Sequence, residues 1–218
     1  MKASRIAAIS LAAIATYIGV GSLLNYGVFP EEGPQQGDEP HAGVRIVNEV
    51  IHSTFVFRQT SAETRGQRFE WDNLIEKGGG PIRFPHVHEF AEERFRVVEG
   101  ALRVVVDGKD RFVYPGQEAV VPPGASHAFE AIADGTTYVV SSLAPAFDVD
   151  ALYVQMARAG GLFRVSPIQV LVFATRYQHY SDIPGLPFRV QRALGYLVAP
   201  TARLFGIRSY YPPPGAAR

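Results

Sequence analysis

The chain has 218 residues and contains no cysteine. Disulfide bonds, iron–sulfur clusters and a thiol nucleophile are therefore excluded, although the absence fits any cellular compartment. A Gly-x-Ser-x-Gly turn for a nucleophilic serine is also missing. The glycine run at residues 78–80 leads towards a strand and not a helix, so it does not form a phosphate cradle. No nucleic-acid-binding motif is present, and we expect no nucleic-acid partner.

Acidic side chains are almost absent from both ends of the chain. Residues 1–29 carry two basic side chains and no acid, and residues 151–218 carry eight arginines and a single acid, Asp182. Residues 30–150 carry 11 basic and 20 acidic side chains, so the overall charge of zero hides a strong asymmetry. The patterns predict four segments: an anchor or signal segment (1–29), an acidic linker (30–42), a β-domain (43–148) and a basic helical tail (149–218).

The first segment holds a long uncharged run. Ile6–Val28 would span about 34 Å as a helix, enough for the ~30 Å hydrocarbon layer. Lys2 and Arg5 precede it, and Glu31 and Glu32 follow it. Basic residues tend to stay on the cytoplasmic side, so we predict a single-pass anchor in the cell membrane with the rest of the chain outside the cytoplasm.

Two other interpretations of this run are open. A cleaved signal peptide would release the chain as a secreted protein, but its apolar core is usually about 7–15 residues long. The run is longer, and its one small-x-small sequence is the weak Gly19-Val20-Gly21, so we favour the uncleaved anchor. A buried core helix is less consistent with the flanking charges. The linker that follows is too rich in proline, glycine and acids to form a core element.

Residues from Gly43 onwards predict short strands separated by turns. Residues 45–57 alternate and are rich in β-branched and aromatic side chains, which predicts strand structure. Asp107-Gly108 is a strong hairpin signal between 102–106 and 111–114. Asp134-Gly135 separates strands predicted at 128–132 and 137–143. Short strands with regular turns indicate a barrel or a sandwich.

Two strands carry side chains that suit a metal. His86 and His88 are two residues apart, so they project from the same side of a strand. Glu93 shares a face with Phe95 and Val97, while the two arginines between them take the opposite face. A carboxylate among apolar residues is unfavourable unless a cation or hydrogen bonds compensate it. A divalent metal would do so directly.

His127, which follows a Pro-Gly turn, supplies a fourth candidate ligand. Three imidazoles suit Zn, Cu, Fe and Ni, and the carboxylate shifts the preference towards Mn and Fe. An octahedral ion would keep two positions open, whereas a tetrahedral zinc would be nearly closed and structural. Each residue has an ordinary alternative: His86 and His88 as a chance pair on an exposed strand, His127 as a surface histidine, and Glu93 as part of a solvated acidic turn. Glu92 is the fallback carboxylate.

These residues resemble the two cupin motifs. The first, G-x5-H-x-H-x3,4-E-x6-G, is matched at every position, and the second, G-x5-P-x-G-x2-H-x3-N, fails only at its last position, where Ala131 stands. The matched residues are Gly80, His86, His88, Glu93 and Gly100, then Gly116, Pro122, Gly124 and His127. Over residues 43–148 the resemblance implies a cupin-type antiparallel β-barrel, or jelly roll, that holds one divalent metal, and a homodimer is expected by analogy. It implies no particular reaction.

Aromatic residues near the ligand positions suggest a pocket. Phe84, Phe95 and Phe129 are predicted to line it around a small-molecule ligand, with ordinary core packing as the alternative.

The tail predicts helices at 151–158, 168–180, 188–198 and 201–205, the last two split by Pro200. Its arginines beside apolar residues suit a helix lying on an anionic membrane, or equally an appendage packed on the barrel or on a second subunit.

Three functions follow from these patterns. The first is a metalloenzyme, an oxygenase or isomerase acting on a small oxygen-bearing molecule, with Glu93 also taking a catalytic proton. The second is a non-catalytic module that binds or senses a small molecule. The third is a membrane-associated assembly protein.

Overall fold

The computed structural model describes residues 2–23, 27, 33–34, 37–161, 166–177 and 185–213, so residues 30–32 and 35–36 of the predicted linker lie outside the described residues. The helices are α1 (Lys2–Leu23), α2 (Val149–Arg158), α3 (Pro167–Phe173) and α4 (Phe188–Leu204). The strands are β1 (Arg45–Asn48), β2 (Ser53–Gln59), β3 (Phe69–Glu76), β4 (His86–Val87), β5 (Glu92–Glu99), β6 (Leu102–Val106), β7 (Lys109–Val113), β8 (Glu118–Val121), β9 (Ser126–Ala131) and β10 (Thr136–Ala144).

The strands form two antiparallel sheets. The larger has the order β1-β2-β3-β10-β5-β8, and the smaller has the order β4-β9-β6-β7. The prediction of a mainly antiparallel β-domain is confirmed, but the prediction of a closed barrel is wrong, because no ladder joins the two sheets among the described strands. At one junction, β8 is followed by Pro122 and Pro123, which have no N–H to continue a ladder.

The first core fills the space between the two sheets. Side chains at alternate positions of each strand face inwards, as the period of two requires. Phe95, Val97 and Val139 of the large sheet meet Val104 and Phe129 of the small sheet. Since these side chains are buried on the inner faces, they fix the sheets face to face and place the ends of β4, β5 and β9 together.

A second core lies under the C-terminal helices. The large sheet is wider than the small one, and the rest of its inner face is covered by α2. Trp71 and Phe55 contact Tyr153 of α2, and Phe69 stacks on Trp71 with ring centroids 4.6 Å apart. Phe173 of α3 belongs to the same cluster. The first part of the tail is thus packed on the β-domain.

The strand structure predicted over residues 45–57 is confirmed, and it is the hairpin β1–β2. Asn48 pairs with Ser53, and the Asn48 side chain accepts a hydrogen bond of 3.1 Å from the backbone N–H of Val50. Such a local bond to the backbone stabilises a turn in place of a continuous ladder. The hairpin predicted at Asp107-Gly108 and the separation at Asp134-Gly135 are both confirmed.

The remaining tail helices differ from their predicted bounds. Ser166 caps α3 by accepting a hydrogen bond from the N–H of Gln169, but α3 ends at Phe173, and residues 178–180 of the predicted helix lie outside the described residues. The split at Pro200 is wrong, because α4 continues through it. An interior proline removes one backbone hydrogen bond. Packing of the buried Ala199 and Ala202 on both sides of it holds the helix together.

Helix α1 is long and apolar enough to cross a membrane. Its stretch Ser4–Gly21 has a mean hydropathy of 1.5, and only 6% of that stretch is buried. A signal sequence would have the same character. Its later part contacts α4: the Tyr17 hydroxyl donates to the carbonyl of Leu197 at 2.6 Å, and Gly21 lies against Pro200.

Candidate metal centre

The antiparallel pairing of β4 with β9 brings two of the candidate ligands together. His86 is the register partner of His127, and their ring centroids are 4.2 Å apart. His88 follows the short strand β4, and its ring lies 5.2 Å from that of His86 and 5.3 Å from that of His127. The His-x-His spacing therefore places both side chains inside the molecule, as strand alternation predicts.

Glu93 reaches the same point from the large sheet. It faces inwards from β5, with Phe95 and Val97 next on the same face, while Arg94 and Arg96 are exposed on the other. Its neighbour Glu92, the fallback carboxylate, accepts a hydrogen bond of 2.6 Å from Arg94 at the surface. The alternation of β5 thus selects Glu93 as the inward carboxylate.

The four side chains fit a single metal ion. One donor atom from each of His86, His88, Glu93 and His127 lies within 4.8 Å of all the others. Ligands bound at ~2.0–2.2 Å to one ion are at most about 4.4 Å apart, so a shift of a few tenths of an ångström would bring all four into coordination. All four residues are buried, the most exposed being His86 at 8%.

Hydrogen bonds orient two of the imidazoles. The Nδ1 atoms of His86 and His127 each lie 3.2 Å from a backbone carbonyl, that of Phe84 and that of Ala125 respectively. With Nδ1–H donating, the Nε2 lone pair of each ring is directed away from the carbonyl, the orientation that a metal-ligating histidine adopts. Neither ring nitrogen of His88 makes a well-aligned hydrogen bond, and its one polar contact is the 3.2 Å approach of Nε2 to Oε2 of Glu93. A buried imidazole with so little hydrogen bonding is expected of a residue that binds an ion.

The pKa values of the cluster reflect how close its titratable side chains lie to one another. Burial, and then the neighbouring His127 and His88, lower the pKa of His86 well below its ordinary value, so His86 is neutral at pH 7. Burial alone would raise the pKa of Glu93, but the charge of His88 and the hydrogen bonds from His127 and His88 together lower it. Burial would lower the pKa of His127, but its 2.6 Å hydrogen bond to Glu93 and the charge of that carboxylate raise it. A metal would take the place of the shared proton.

The predicted pocket residues lie in different environments. Phe95 and Phe129 are buried between the sheets with ring centroids 4.8 Å apart, and Phe95 lies 6.3 Å from the ring of His127. Phe84 is 40% exposed, although its carbonyl is the one beside Nδ1 of His86. Their role in lining a pocket stays a prediction, as does a catalytic role for Glu93.

Asn73, Ser141 and Glu89 were not singled out from the sequence. Asn73 and Ser141 lie with Trp71 on the inner face of the large sheet, and all three carry polar atoms without a partner. The alternation of Asn73 with half-buried neighbours in β3 was an available signal, whereas both neighbours of Ser141 in β10 are buried. Glu89, next to His88, accepts a 3.0 Å hydrogen bond from the backbone N–H of Phe188, the first residue of α4. No sequence pattern indicated that contact, which joins the tail to the metal-binding loop.

Comparison with protein families agrees with this geometry. Residues 74–142 match the Cupin_2 family, described as a cupin domain. This part of the chain is similar to a cupin domain. The match contains all four clustered side chains. A search of curated proteins found no match.

Three solved structures with similar folds each match somewhat less than half of this chain. KdgF from Halomonas sp. is 22% identical, over 45% of this chain and 84% of its own, with a TM-score of 0.40. A predicted oxalate decarboxylase from Thermotoga maritima is 15% identical, over 42% and 79%, with a TM-score of 0.40. A sugar phosphate isomerase of the cupin superfamily from Silicibacter pomeroyi is 20% identical, over 48% and 75%, also with a TM-score of 0.40.

Proposed function

We propose that the protein is a membrane-anchored cupin enzyme that uses one divalent metal to act on a small oxygen-bearing organic molecule, as an oxygenase or an isomerase. The observation that carries the proposal is the buried cluster of three histidines and one glutamate. Fe, Mn, Ni, Cu and Zn all accept this donor set. The N-terminal helix α1, by its length and composition, supports the anchor.

The residues of the cluster have distinct tasks in this proposal. His86, His88, Glu93 and His127 hold the ion, which when bound polarises an oxygen of the substrate and, if redox-active, transfers electrons. In the metal-free cluster the carboxylate of Glu93 shares a proton with Nε2 of His127 at 2.6 Å; with the ion in that place, Glu93 would accept a proton from the substrate through its second carboxylate oxygen. Phe95 and Phe129 exclude water from the inner side, which strengthens electrostatic interactions there.

A second candidate function is a non-catalytic binding or sensing module. It is favoured by the nearly complete burial of all four donors, which resembles a closed site. In this case the ion would stabilise the contact between β4, β5 and β9. The two candidates differ in whether the bound ion keeps a position open for a second ligand.

The first experiment is elemental analysis of the full chain, purified in detergent without added metal. A variant with His86→Ala and His88→Ala is compared with His52→Ala, a control at a histidine whose side chain is 63% exposed at the end of the β1–β2 turn. We expect about one ion per chain in the wild type and the control, and none in the double variant. No metal in any folded sample would refute the metal-dependent function.

The nature of the ion then separates the two functions. Fe, Mn, Ni or Cu with exchangeable water, detected by water-proton relaxation or electron paramagnetic resonance, supports the enzyme. A four-coordinate ion with no exchangeable water, seen by X-ray absorption, supports the binding module and contradicts an enzyme.

A further inference from the structure

Two exposed phenylalanines flank the segment that carries two of the metal ligands. Phe84 lies two residues before His86 and is 40% exposed. Phe90 lies two residues after His88 and is 42% exposed. Single exposed apolar side chains are common in proteins, but several in one short segment indicate a contact surface. The ligand segment, residues 83–90, is therefore a candidate contact surface beside the metal centre.

The exposed part of the ligand segment carries a positive charge. Arg83 and Pro85 are exposed on either side of Phe84. Glu89, the one acid of the segment, is half-buried and accepts the 3.0 Å hydrogen bond from the N–H of Phe188. A cationic side chain beside exposed aromatic rings is typical of segments that lie in the headgroup layer of an anionic bilayer.

Helix α4 connects the ligand segment to the proposed anchor. The N–H of Phe188, at the start of α4, donates to Glu89. Further along α4, the carbonyl of Leu197 accepts from the hydroxyl of Tyr17, near the C-terminal end of the apolar stretch of α1. At about 1.5 Å per residue, Phe188 and Leu197 are about 14 Å apart along the helix axis. Whatever the tilt of α4, the ligand segment is thus within roughly 14 Å of the membrane level of that crossing, whereas a bilayer with its headgroups is about 40–45 Å thick.

Helix α4 also exposes an apolar stripe that leads from the ligand segment to α1. Val190, in the first turn of α4, is exposed, and Leu194 and Leu197 follow it at intervals of four and three residues. Side chains at these intervals lie on one face of a helix. The two exposed phenylalanines of the ligand segment thus continue an apolar surface that begins at the candidate membrane-spanning helix.

We propose that the ligand segment is a membrane-contact surface, in which Phe84 and Phe90 insert between the headgroups of an anionic phospholipid bilayer and Arg83 binds lipid phosphate. This inference rests on the proposed function for the anchor α1. It adds the position of the metal centre, which then lies at the bilayer interface and not in the aqueous phase. The partner of the surface is the lipid bilayer itself.

The far edge of the small sheet offers a matched control surface. Phe112 of β7 is 53% exposed, and Arg111 beside it is exposed as well. In the strand order β4-β9-β6-β7, Phe112 lies three strands from His86 of β4, a distance of about 14 Å. Phe112 and Arg111 therefore repeat the aromatic ring and the positive charge of the ligand segment at a separate place.

Fluorescence quenching by brominated lipid measures the contact in the full chain. Phe84→Trp, Phe90→Trp and Phe112→Trp each add one indole to a chain whose single tryptophan, Trp71, is 2% exposed and gives the background signal. The proteins are reconstituted into vesicles of phosphatidylserine and of phosphatidylcholine brominated near the headgroup end of its acyl chains. Insertion by about 5–10 Å should quench the added emission at positions 84 and 90 by about 2-fold, and the emission at position 112 by less than about 10%. Because both positions in the ligand segment are exposed, either variant carries the test if the other does not fold.

Charge reversal tests the contact with lipid phosphate. A basic side chain near an anionic surface strengthens its binding by about 5-fold. In the Phe90→Trp chain, Arg83→Glu should therefore remove about half of the quenching or more, whereas Arg111→Glu should leave it unchanged. An equal effect of the two charge reversals would overturn the assignment of Arg83, because any surface charge would then act in the same way.

The outcomes separate this inference from the proposed function. A chain that stays in the vesicles after a wash at high pH, with positions 84 and 90 quenched no more than position 112, overturns the inference alone. A chain that the wash releases overturns the anchor; quenching of the released chain by added vesicles then supports the membrane contact, and its absence overturns both. Elemental analysis of the same samples tests the metal-dependent function independently, because the quenching does not require an ion.

Discussion

Glu93 and Glu92 are adjacent carboxylates with opposite environments, and a matched pair of substitutions separates their roles. Glu93→Gln removes the only carboxylate of the buried cluster, so we expect metal affinity to fall more than about 100-fold, beyond the effect typical of residues that merely support ligands. Glu92→Gln removes a surface ion pair with Arg94, and should change stability by less than about 1 kcal/mol and metal affinity hardly at all. Metal competition with a colorimetric chelator measures both. Equal losses would show that the inward carboxylate is misassigned.

The lowered pKa of His86 predicts an acid sensitivity of the metal-free protein. The folded-state pKa lies below the unfolded value of about 6.5, so the unfolded chain binds the proton first and stability falls as pH drops below about 6.5. The slope from this one group is at most ~1.4 kcal/mol per pH unit. His127, whose pKa is raised, contributes in the opposite sense: its stabilisation is present below about pH 6.5 and is lost as pH rises through its folded value.

Comparison of wild type with His86→Gln isolates the first effect. Urea unfolding of chelator-treated protein between pH 7.5 and 5 should show a shallower loss in the variant. An unchanged slope would mean that His86 is already protonated in the folded state.

At the scale of elements, the metal centre depends on how closely the segment before β4 approaches β9. Gly80 has φ +109°, and a Cβ there would lie 2.5 Å from the carbonyl oxygen of Phe129. Gly80→Ala should therefore lower the free energy of unfolding by roughly 2–3 kcal/mol and separate His86 from His127. Gly108→Ala, at φ +74° in open space, should lower it by about 1 kcal/mol, from backbone conformation alone.

Chemical denaturation and metal content measure the two effects of the glycine substitutions. If both variants lose the same stability and keep their metal, the close approach of Gly80 to β9 is not what positions the ligands.

The contact between Glu89 and α4 predicts a local effect on the tail. Glu89→Gln removes the negative charge at the helix N-terminus and weakens the bond to the Phe188 N–H, a loss of about 0.5–1 kcal/mol. Hydrogen exchange should accelerate in the first turn of α4 by about 2- to 5-fold, while Glu49→Gln, at the β1–β2 turn, should leave it unchanged. Uniform acceleration throughout the protein would indicate a general loss of stability instead.

At the scale of the whole molecule, helix α1 and helix α4 form one apolar surface. Helix α1 is mostly exposed and packs on α4 through Tyr17 and Gly21. Exposed apolar residues of α4 recur at helical spacing: Val190, Leu194, Leu197 and Leu204, followed by Phe205 at 80% exposure. With the arginines of the tail they suit the surface of an anionic membrane beside the anchor.

We therefore predict that the full chain remains in the bilayer after a wash at high pH. A chain starting at residue 40 should bind vesicles containing phosphatidylserine more than neutral vesicles, and Leu194→Glu with Leu204→Glu should reduce this binding several-fold. Flotation measures each case. Mass spectrometry of the native protein showing cleavage near Gly21 would replace the anchor with a signal peptide. Flotation that is independent of lipid charge would contradict the role of the arginines.

Local sequence patterns were sufficient to predict much of the β-domain. A period of two along β5 separated Glu93 from Arg94 and Arg96, and the Asp-Gly turn at 107–108 defined the hairpin β6–β7, because both depend on neighbouring residues alone. The same holds for His86 and His88, whose spacing places them on one side of the chain. His127, which is distant in sequence from the other three, was a candidate by its place after a Pro-Gly turn, and the family resemblance supported it.

The other features of the fold and of the site depend on packing between residues that are distant in sequence. Whether the sheets close into a barrel depends on ladders between distant strands, and prolines after β8 end one of them. Pro200 stays within α4 because residues from other elements support the helix on both sides, which no local rule includes. The coverage of the large sheet by α2, the contact of Glu89 with α4 and the unpaired patch of Trp71, Asn73 and Ser141 arise in the same way. Burial and hydrogen-bond pairing are properties of the assembled chain, so they became visible only in the tertiary structure.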